Sequence, residues 1–400
     1  MDAVNIKNSI HWVGAFDPDL DVFDLIMPLK RGTTYNSYLI IDEKIALVDT
    51  VKKGFEDEWL SRIQSVISPE KIDYIILNHF ELDHSANLTT ILEKAPNAKI
   101  VISRNAQLFL KGTFNHDFDN VILVNDGDEI SLGKKTIKFF KAPFMHWPDT
   151  LFNYLVEDEM IITSDAFGAH VCDKRIFNDL TDDYLHDFEY YYHVIMSPFK
   201  SFVLAALDKI KDLKISVICP AHGPILRRDA DLYLKKYRVW STLPAKDKIK
   251  VFIAYASIYG STRKMAEKIA EGLKNDKIKV ELYDIVNDSE KYDNLPYILD
   301  QSDCILIGSP TIVSAPIHPV WDFCANLIMI NKRKKFSGTF TSFGWNGDSV
   351  SVIEGLLNGM HFKLISEGLK VNMVPDKSDH DLCVSWGKEI AEALKNKIKL

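Results

Sequence analysis

From Lys250 onward the chain repeats one pattern, a short apolar run followed by a segment of helical periodicity. The runs are KVFIAYAS, KVELYDIV, CILIGSP, GTFTSFG and FKLISEGLKV, with segments such as STRKMAEKIAEGLKN and DSVSVIEGLLNGM between them. Neighbouring parallel strands need a long crossover, and a helix is the usual one. Five strands separated by helices therefore predict a doubly wound, five-stranded parallel sheet. Its ligand crevice lies at the carboxyl ends of the strands.

The first 240 residues have another texture. Short β-rich runs (TTYNSYLIID, KIALVDT, KIDYIIL, AKIVIS, KTIKFFKA, EDEMIITSD) alternate with loops that hold most of the His and Asp. LFNYLVEDEMIITSD reads as a hairpin turning at Glu157 to Glu159. Helical periodicity marks GFEDEWLSRIQSVI and FVLAALDKIKDL. The polar stretch Ser241 to Lys250, STLPAKDKIK, separates the textures, and 400 residues exceed one ordinary core. Two domains follow, residues 1–245 and 250–400.

Hydrophobic content of 46% fills two interiors, and a net charge of −8 excludes a nucleic-acid surface as the main partner. The lysine-rich run NKRKK, Asn331 to Lys335, reads as a solvated loop. Cys172, Cys219, Cys304, Cys324 and Cys383 show no CxxC spacing and no paired framework, which fits a reducing cytosol and excludes a rubredoxin-type or iron–sulfur site. No basic-then-apolar leader opens the chain, and no run approaches the ~20 apolar residues that span a bilayer. The expectation is a soluble, cytoplasmic protein without a membrane partner.

HFELDHSAN, His79 to Asn87, follows the apolar YIIL and places His79, Glu81, Asp83 and His84 within six residues. Charged groups at the end of a buried strand are costly unless they bind something. Residues 79, 81 and 83 alternate and can face one side of an extended turn, with His84 swung in by a following helix. His146 in APFMHWPDT, Asp165 in MIITSDAFG and His222 in VICPAHGP each end another apolar run. Four His and three carboxylates suffice for two metals if one carboxylate bridges. Oxygen-rich donors move the preference from zinc toward iron, so Glu81 points to redox iron.

In the second half YASIYGST places Ser257, Tyr259, Gly260, Ser261 and Thr262 between the first strand and a helix, where hydroxyls and backbone N–H groups can wrap a phosphate. A P-loop Lys and a GxGxxG are both missing, so the pocket suits the monophosphate of FMN rather than an NTP or a dinucleotide. Ser309, Pro310, Thr311, Ile312 and Val313 end the third strand. Ser342, Phe343, Gly344, Trp345, Asn346 and Gly347 end the fourth. These loops can offer backbone donors and the Trp345 ring to an isoalloxazine.

LVDT, HFELDH and the later separated His, Asp and His resemble the metallo-β-lactamase fold, an αββα sandwich whose hydrolases usually carry His where Glu81 stands. YGST, GSPT and FGWNG resemble flavodoxin. In this order, over nearly the whole chain, the two resemble the flavodiiron proteins, or A-type flavoproteins. The resemblance implies that His79, Glu81 and His146 hold the iron nearer the flavin, that Asp83, His84 and His222 hold the second, and that Asp165 bridges. It implies reduction of dioxygen to water, of nitric oxide to nitrous oxide, or both, in a head-to-tail homodimer or homotetramer.

Three departures from the family pattern stand out. A Phe-His-Gly-Tyr-like segment that reaches the family's metal pocket reads VFDLIM here, Val22 to Met27. YYHVIMSPF, Tyr191 to Phe199, resembles its Tyr-Tyr segment, and either Tyr192 or His193 is expected to supply a proton or hydrogen bond near the distal iron. Val313 and Ser314 replace asparagines common in the second flavin loop. The chain ends soon after the last helix, so electrons are expected from a separate donor such as rubredoxin or a reduced deazaflavin. The rivals are a zinc hydrolase fused to a flavodoxin-like module, which Glu81 disfavours, and an electron carrier whose first domain is only a scaffold.

Overall fold

The computed structural model describes residues 2–242, 247–292, 295–332 and 335–398. Parts of the expected boundary, Ser241 to Lys250, and of the Asn331 to Lys335 run lie outside the described residues, as does the end of the chain at Leu400. The chain divides into two compact units, Met1–Thr242 and Leu243–Leu400.

In the first unit a seven-stranded sheet runs in the spatial order Val4–Lys7, Ile10–Trp12, Tyr38–Ile41, Ile45–Val48, Tyr74–Ile76, Lys99–Ser103 and Val121–Val124. A five-stranded sheet contains Glu129–Ser131, Thr136–Lys141, Leu151–Leu155, Met160–Ser164 and Val217–Pro220. The core lies between the sheets, and every second residue enters it: Ile10 and Trp12, Tyr38 and Ile40, Ala46 and Val48 from one side. Ile137 and Phe139, Met160 and Ile162, Val217 and Cys219 enter from the other. A period of two with both inner faces apolar is the pattern of packed sheets. Helices such as Glu56–Gln64, which buries Trp59, Leu60 and Ile63, complete an αββα sandwich.

TTYNSYLIID does not form one strand. Thr33–Tyr35 pairs with Ala15–Asp17 in a small separate sheet, and Tyr38–Ile41 joins the large one. Asn36 and Ser37 lie between the two, Asn36 reaching the strand end at Pro220 in the five-stranded sheet and Ser37 the strand end at Asp49 in its own. Asn36 Nδ2 donates to the Pro220 and Gly223 carbonyls, and Ser37 Oγ donates to that of Asp49. The expected hairpin forms, with Leu151–Leu155 antiparallel to Met160–Ser164. Met160–Ser164 and Val217–Pro220 are parallel, with Ser164 opposite Pro220. Asp165, one residue beyond the first strand, and His222, two beyond the second, thus emerge at the same end of the sheet.

The second unit is a parallel sheet ordered Ile278–Asp284, Ile249–Tyr255, Cys304–Gly308 and Phe336–Phe343, followed by an interrupted edge strand. Lys363–Leu364 and Leu369–Asn372 pair with successive stretches of Phe336–Phe343. Gly368 lies in the gap, where a Cβ would collide with Val350 and with the Thr339 hydroxyl. A bare backbone is therefore required there. Both faces of the sheet are covered. Val251, Ile253 and Leu306 pack under Ser261–Leu273 and Lys377–Lys397, while Phe252, Ala254 and Ile305 pack under the helices of the other side. The strand order reverses between Ile249–Tyr255 and Cys304–Gly308, which opens a crevice there.

Candidate metal centre and flavin site

Seven side chains converge at the strand ends of the first unit. His79, Glu81, His146 and Asp165 form one group, and Asp83, His84 and His222 a second, with donor atoms within 4.8 Å of one another in each. His79 and Glu81 follow Tyr74–Ile76 in extended backbone. The chain then turns at once into a helical segment, Leu82–Ser85. Asp83 thus does not continue the extended alternation but sits on that helical turn beside His84. The helix carries it to the other group, which an extended 83 could not reach alongside 79 and 81.

Asp165 joins the groups. Its Oδ2 lies 3.0 Å from His79 Nε2 and 3.9 Å from His146 Nε2, while its Oδ1 lies 3.3 Å from His84 Nε2 and 3.4 Å from His222 Nε2. Glu81 Oε2 stands 3.1 Å from His146 Nε2, and Asp83 Oδ2 stands 3.2 Å from both His84 and His222 Nε2. Despite these short separations, Nε2 of His79, His84 and His222 and both oxygens of Asp83 are buried with no hydrogen-bond partner. These atoms thus cluster within each group without pairing off as hydrogen bonds. Buried polar atoms in native proteins are ordinarily satisfied, so a set this dense calls for bound cations. Four imidazoles and three carboxylates in two groups sharing one carboxylate fit a pair of iron ions.

Electrostatics agree. Burial disfavours charge on His79 and His222, yet the Asp165 carboxylate together with Glu81 or Asp83 outweighs it, holding His79 well above its ordinary range and raising His222 to about 10. Burial likewise opposes ionisation of Asp165, but His79 and His84 keep its carboxyl well below the usual range. A carboxylate kept ionised in a dry site is ready to bind a cation.

The surrounding polar contacts fix the rings. His222 Nδ1 is 2.7 Å from the Thr34 carbonyl and His79 Nδ1 is 3.0 Å from Ser164 Oγ, which leaves Nε2 of each ring to the metal. Asp49, from LVDT, accepts from the Asn78 N–H and amide at 2.8 Å each and anchors the strand end before His79. Its burial pushes the carboxyl up to about 6.

In the second unit, a cavity of about 290 Å³ opens at the sheet's carboxyl edge. Ser257, Tyr259, Ser261 and Thr262 line it from the first loop, Pro310, Thr311 and Ile312 from the second, and Ser342, Phe343 and Gly344 from the third. Gly260 caps Ser261–Leu273 with a φ of +91°, and its N–H donates to Ser257 Oγ at 3.1 Å. The Arg263 N–H donates to the same Ser257 Oγ at 3.3 Å, so the loop folds over the start of the helix, the kind of place where a phosphate is held.

Residues 33–223 match the model of the ODP family beta lactamase, and residues 253–387 that of flavodoxin. A flavo-diiron protein of Clostridium acetobutylicum is 36% identical, over 98% of this chain and 100% of that protein. The chain belongs to the flavodiiron family. Another relative, named nitric oxide reductase, from Moorella thermoacetica, is 34% identical over 97% of this chain and 98% of its own. The rubredoxin oxygen:oxidoreductase of Desulfovibrio gigas superposes with a TM-score of 0.77 at 31% identity, over 100% of both chains. As a flavodiiron protein the chain is an oxidoreductase of the FMN and di-iron class, and the zinc-hydrolase and bare-carrier readings fall.

Two expectations for the flavodiiron pocket are corrected. Tyr192 does not reach the metal groups: its hydroxyl lies 2.7 Å from Ser241 Oγ, and its ring packs on Tyr237 and Trp240. His193 packs on Tyr192 and Trp240, with Nε2 3.6 Å from Glu189. The tyrosine that reaches the two groups is Tyr191, whose Oη donates to Asp165 Oδ1 at 3.2 Å. Tyr191 is the last residue of the helix Leu185–Tyr191, and the chain passes into a π-helical turn at Tyr192–Met196. Adjacent helical residues point about 100° apart, and spacing alone does not reveal which of the two faces the groups.

Of the flavin residues, Ser309 serves the loop itself: its Oγ donates to the Pro310 carbonyl and accepts from the Ile317 N–H. Val313, Trp345, Asn346 and Gly347 do not line the cavity. Trp345 is 78% exposed, and Asn346 Nδ2 donates to Ser314 Oγ at 3.1 Å. Met373 and Val374 line the cavity unforeseen, on the turn after the interrupted strand.

Sequence reasoning also missed His170. It is buried, its Nδ1 is 2.8 Å from Thr33 Oγ1, and its ring stands 5.0 Å from that of His222. No strand ends at His170, so nothing in the local pattern marked it. Asp24, in the departing segment VFDLIM, lies where burial and the neighbouring Glu81 and Asp83 raise its carboxyl.

Proposed function

We propose that this protein reduces dioxygen, nitric oxide or both at a non-haem di-iron centre fed by FMN, with electrons from a separate rubredoxin-type or deazaflavin donor. The observation that carries the reading is the Asp165 carboxylate, one oxygen within each histidine group. His79, Glu81 and His146 would hold one ion, Asp83, His84 and His222 the other, and Asp165 would bridge. Residues 1–245 would form the di-iron domain and residues 250–400 the flavin domain.

Bound, the ferrous pair supplies two electrons and a Lewis-acidic place for the gas, and the reduced flavin replaces the electrons spent. The chain's own residues orient and exclude. Thr34 and Ser164 hold the His222 and His79 rings, and Tyr191 holds Asp165. Phe23 covers the inner side, its ring 4.2 Å from His170 and 5.3 Å from His222, and keeps water from the second group. In the other unit the hydroxyls of Ser257, Ser261 and Thr262 would bind the FMN phosphate, and Phe343, Met373 and Val374 would shield the ring.

Glu81 favours iron over zinc, and three carboxylates balance most of the charge of two ferrous ions, which suits a centre that cycles between oxidation states. Purified protein should contain two irons and one FMN per chain, and should consume dioxygen or nitric oxide when given a reduced rubredoxin. Two zincs, or consumption of neither gas, contradicts the reading.

A further inference from the structure

The segment where the chain departs from its family's pattern forms a tight hairpin. Val22–Phe23 pairs antiparallel with Met27–Pro28, and the Ile26 N–H donates to the Phe23 carbonyl at 3.1 Å. The two central residues, Asp24 and Leu25, have φ of +50° and +59°. That is a type I′ turn, whose second position is ordinarily glycine. Leu25 occupies it and is 93% exposed, so its side chain gains nothing from burial. Strain of this kind persists where the surroundings dictate it, and it clusters at functional sites.

The strained tip delivers Asp24 into the metal cavity. Asp24, Glu81 and Asp83 line one cavity of about 990 Å³, with Lys52, Lys53 and Trp147 on its walls. Phe23, the residue before it, is clamped against the His170 and His222 rings, which fixes the turn's position over the centre. The Asp24 carboxylate makes no hydrogen bond or ion pair among the described residues. The charged groups that face it are Glu81, Asp83, His146 and His222 of the site, and Lys52 and Lys53 of the wall. An unpaired carboxylate on a strained turn does not stabilise the fold. One side of Asp24 meets solvent and the other meets the cavity.

We infer that Asp24 is a further catalytic residue of the di-iron reaction, relaying protons from bulk water to the oxygen atoms being reduced in the cavity. The inference rests on the reductase reading. Four electrons and four protons turn dioxygen into two waters, and two of each turn two nitric oxides into nitrous oxide and water. The cofactors supply the electrons. In each relay event the carboxyl O–H bond breaks, a substrate O–H bond forms, and the resulting carboxylate takes a new proton from water on its exposed side. General acids in such positions contribute on the order of 10²- to 10⁴-fold to rate.

Asp24→Asn tests this, because Asn keeps the shape, tolerates the left-handed turn and cannot relay. In the iron- and FMN-loaded protein the variant should lose at least ~10-fold in gas-saturated turnover, a share of that general-acid range. It should show a larger solvent deuterium isotope effect, and Asp24→Glu should restore most of the rate. Iron content and azide binding followed by absorbance should match wild type. A variant with wild-type rate and isotope effect overturns the relay, and so does one that loses iron, since Asp24 would then hold the site together. If wild type itself consumes neither gas, it is the reductase reading that fails.

Discussion

Tyr191 Oη donates to Asp165 Oδ1 at 3.2 Å, the oxygen that faces His84 and His222. The phenol touches no other donor of the two groups by hydrogen bond, so its effect on the centre passes through this one contact. Replacing Tyr191 by Phe should leave the fold intact and weaken retention of the second ion. Losses of about 10- to 100-fold in metal affinity or activity are usual for such partners. Iron retention against a chelator measures it. Tyr192→Phe, which removes the hydroxyl beside Ser241, should leave retention unchanged.

Asp165→Asn and His146→Ala should separate the two groups. Asn keeps the shape but removes the charge that both groups share, so the protein should emerge with little of either ion. His146 belongs to the first group alone. Its loss should leave the ion held by Asp83, His84 and His222. Iron per chain is the readout, near zero for the first variant and near one for the second.

Glu81→His restores the all-histidine pattern of the hydrolases and removes an oxygen donor. Protein produced with equal iron and zinc available should then shift its metal content toward zinc. Unchanged iron selectivity would show that Glu81 does not set the metal.

Stability of the metal-free protein should depend on pH in the opposite sense from the loaded protein. His222 is raised to about 10, above its unfolded value near 6.5. Its contribution is therefore whole below about pH 6.5 and is lost as pH rises toward about 10. Metal binding needs the neutral ring and releases protons, so the loaded protein gains over the same interval. Melting temperatures with and without chelator, taken across that interval, check both signs.

Gly260 sits at a φ of +91° with open space around its missing Cβ. Gly260→Ala meets no neighbour, so its cost is backbone strain alone, of order 1–2 kcal/mol. The strain falls on the turn that presents Ser257 and the helix start. FMN should dissociate more readily from the variant while the first unit keeps its melting transition, and flavin fluorescence on dilution reports the release.

The legible parts of the sequence were those with a regular period or a dense local motif. The β–α alternation after Lys250 and the strand-end ligands show themselves because buried strands read as apolar runs and the charges at their ends stand out. The need for glycine at Gly368, within the edge strand's interruption, was not legible, since the closeness of Thr339 and Val350 is a tertiary contact. Asp83 was read onto an extended turn because alternation is visible in sequence and a four-residue helix is not. Tyr191 and Tyr192 are adjacent helical residues that point about 100° apart, and only packing decides which of them meets Asp165. His170 and Asp24 lie on loops without periodicity, and only the folded chain brings them beside His222 and Glu81.

The central claim is that Asp165 and its six companions hold redox iron that draws electrons from flavin. Stopped-flow absorbance of the anaerobically reduced, FMN-loaded protein, mixed with dioxygen or nitric oxide, tests it most directly. The iron-loaded form should reoxidise its flavin rapidly with at least one gas, while the zinc-loaded form stays slow. Equal flavin reoxidation in the iron and zinc forms would contradict it.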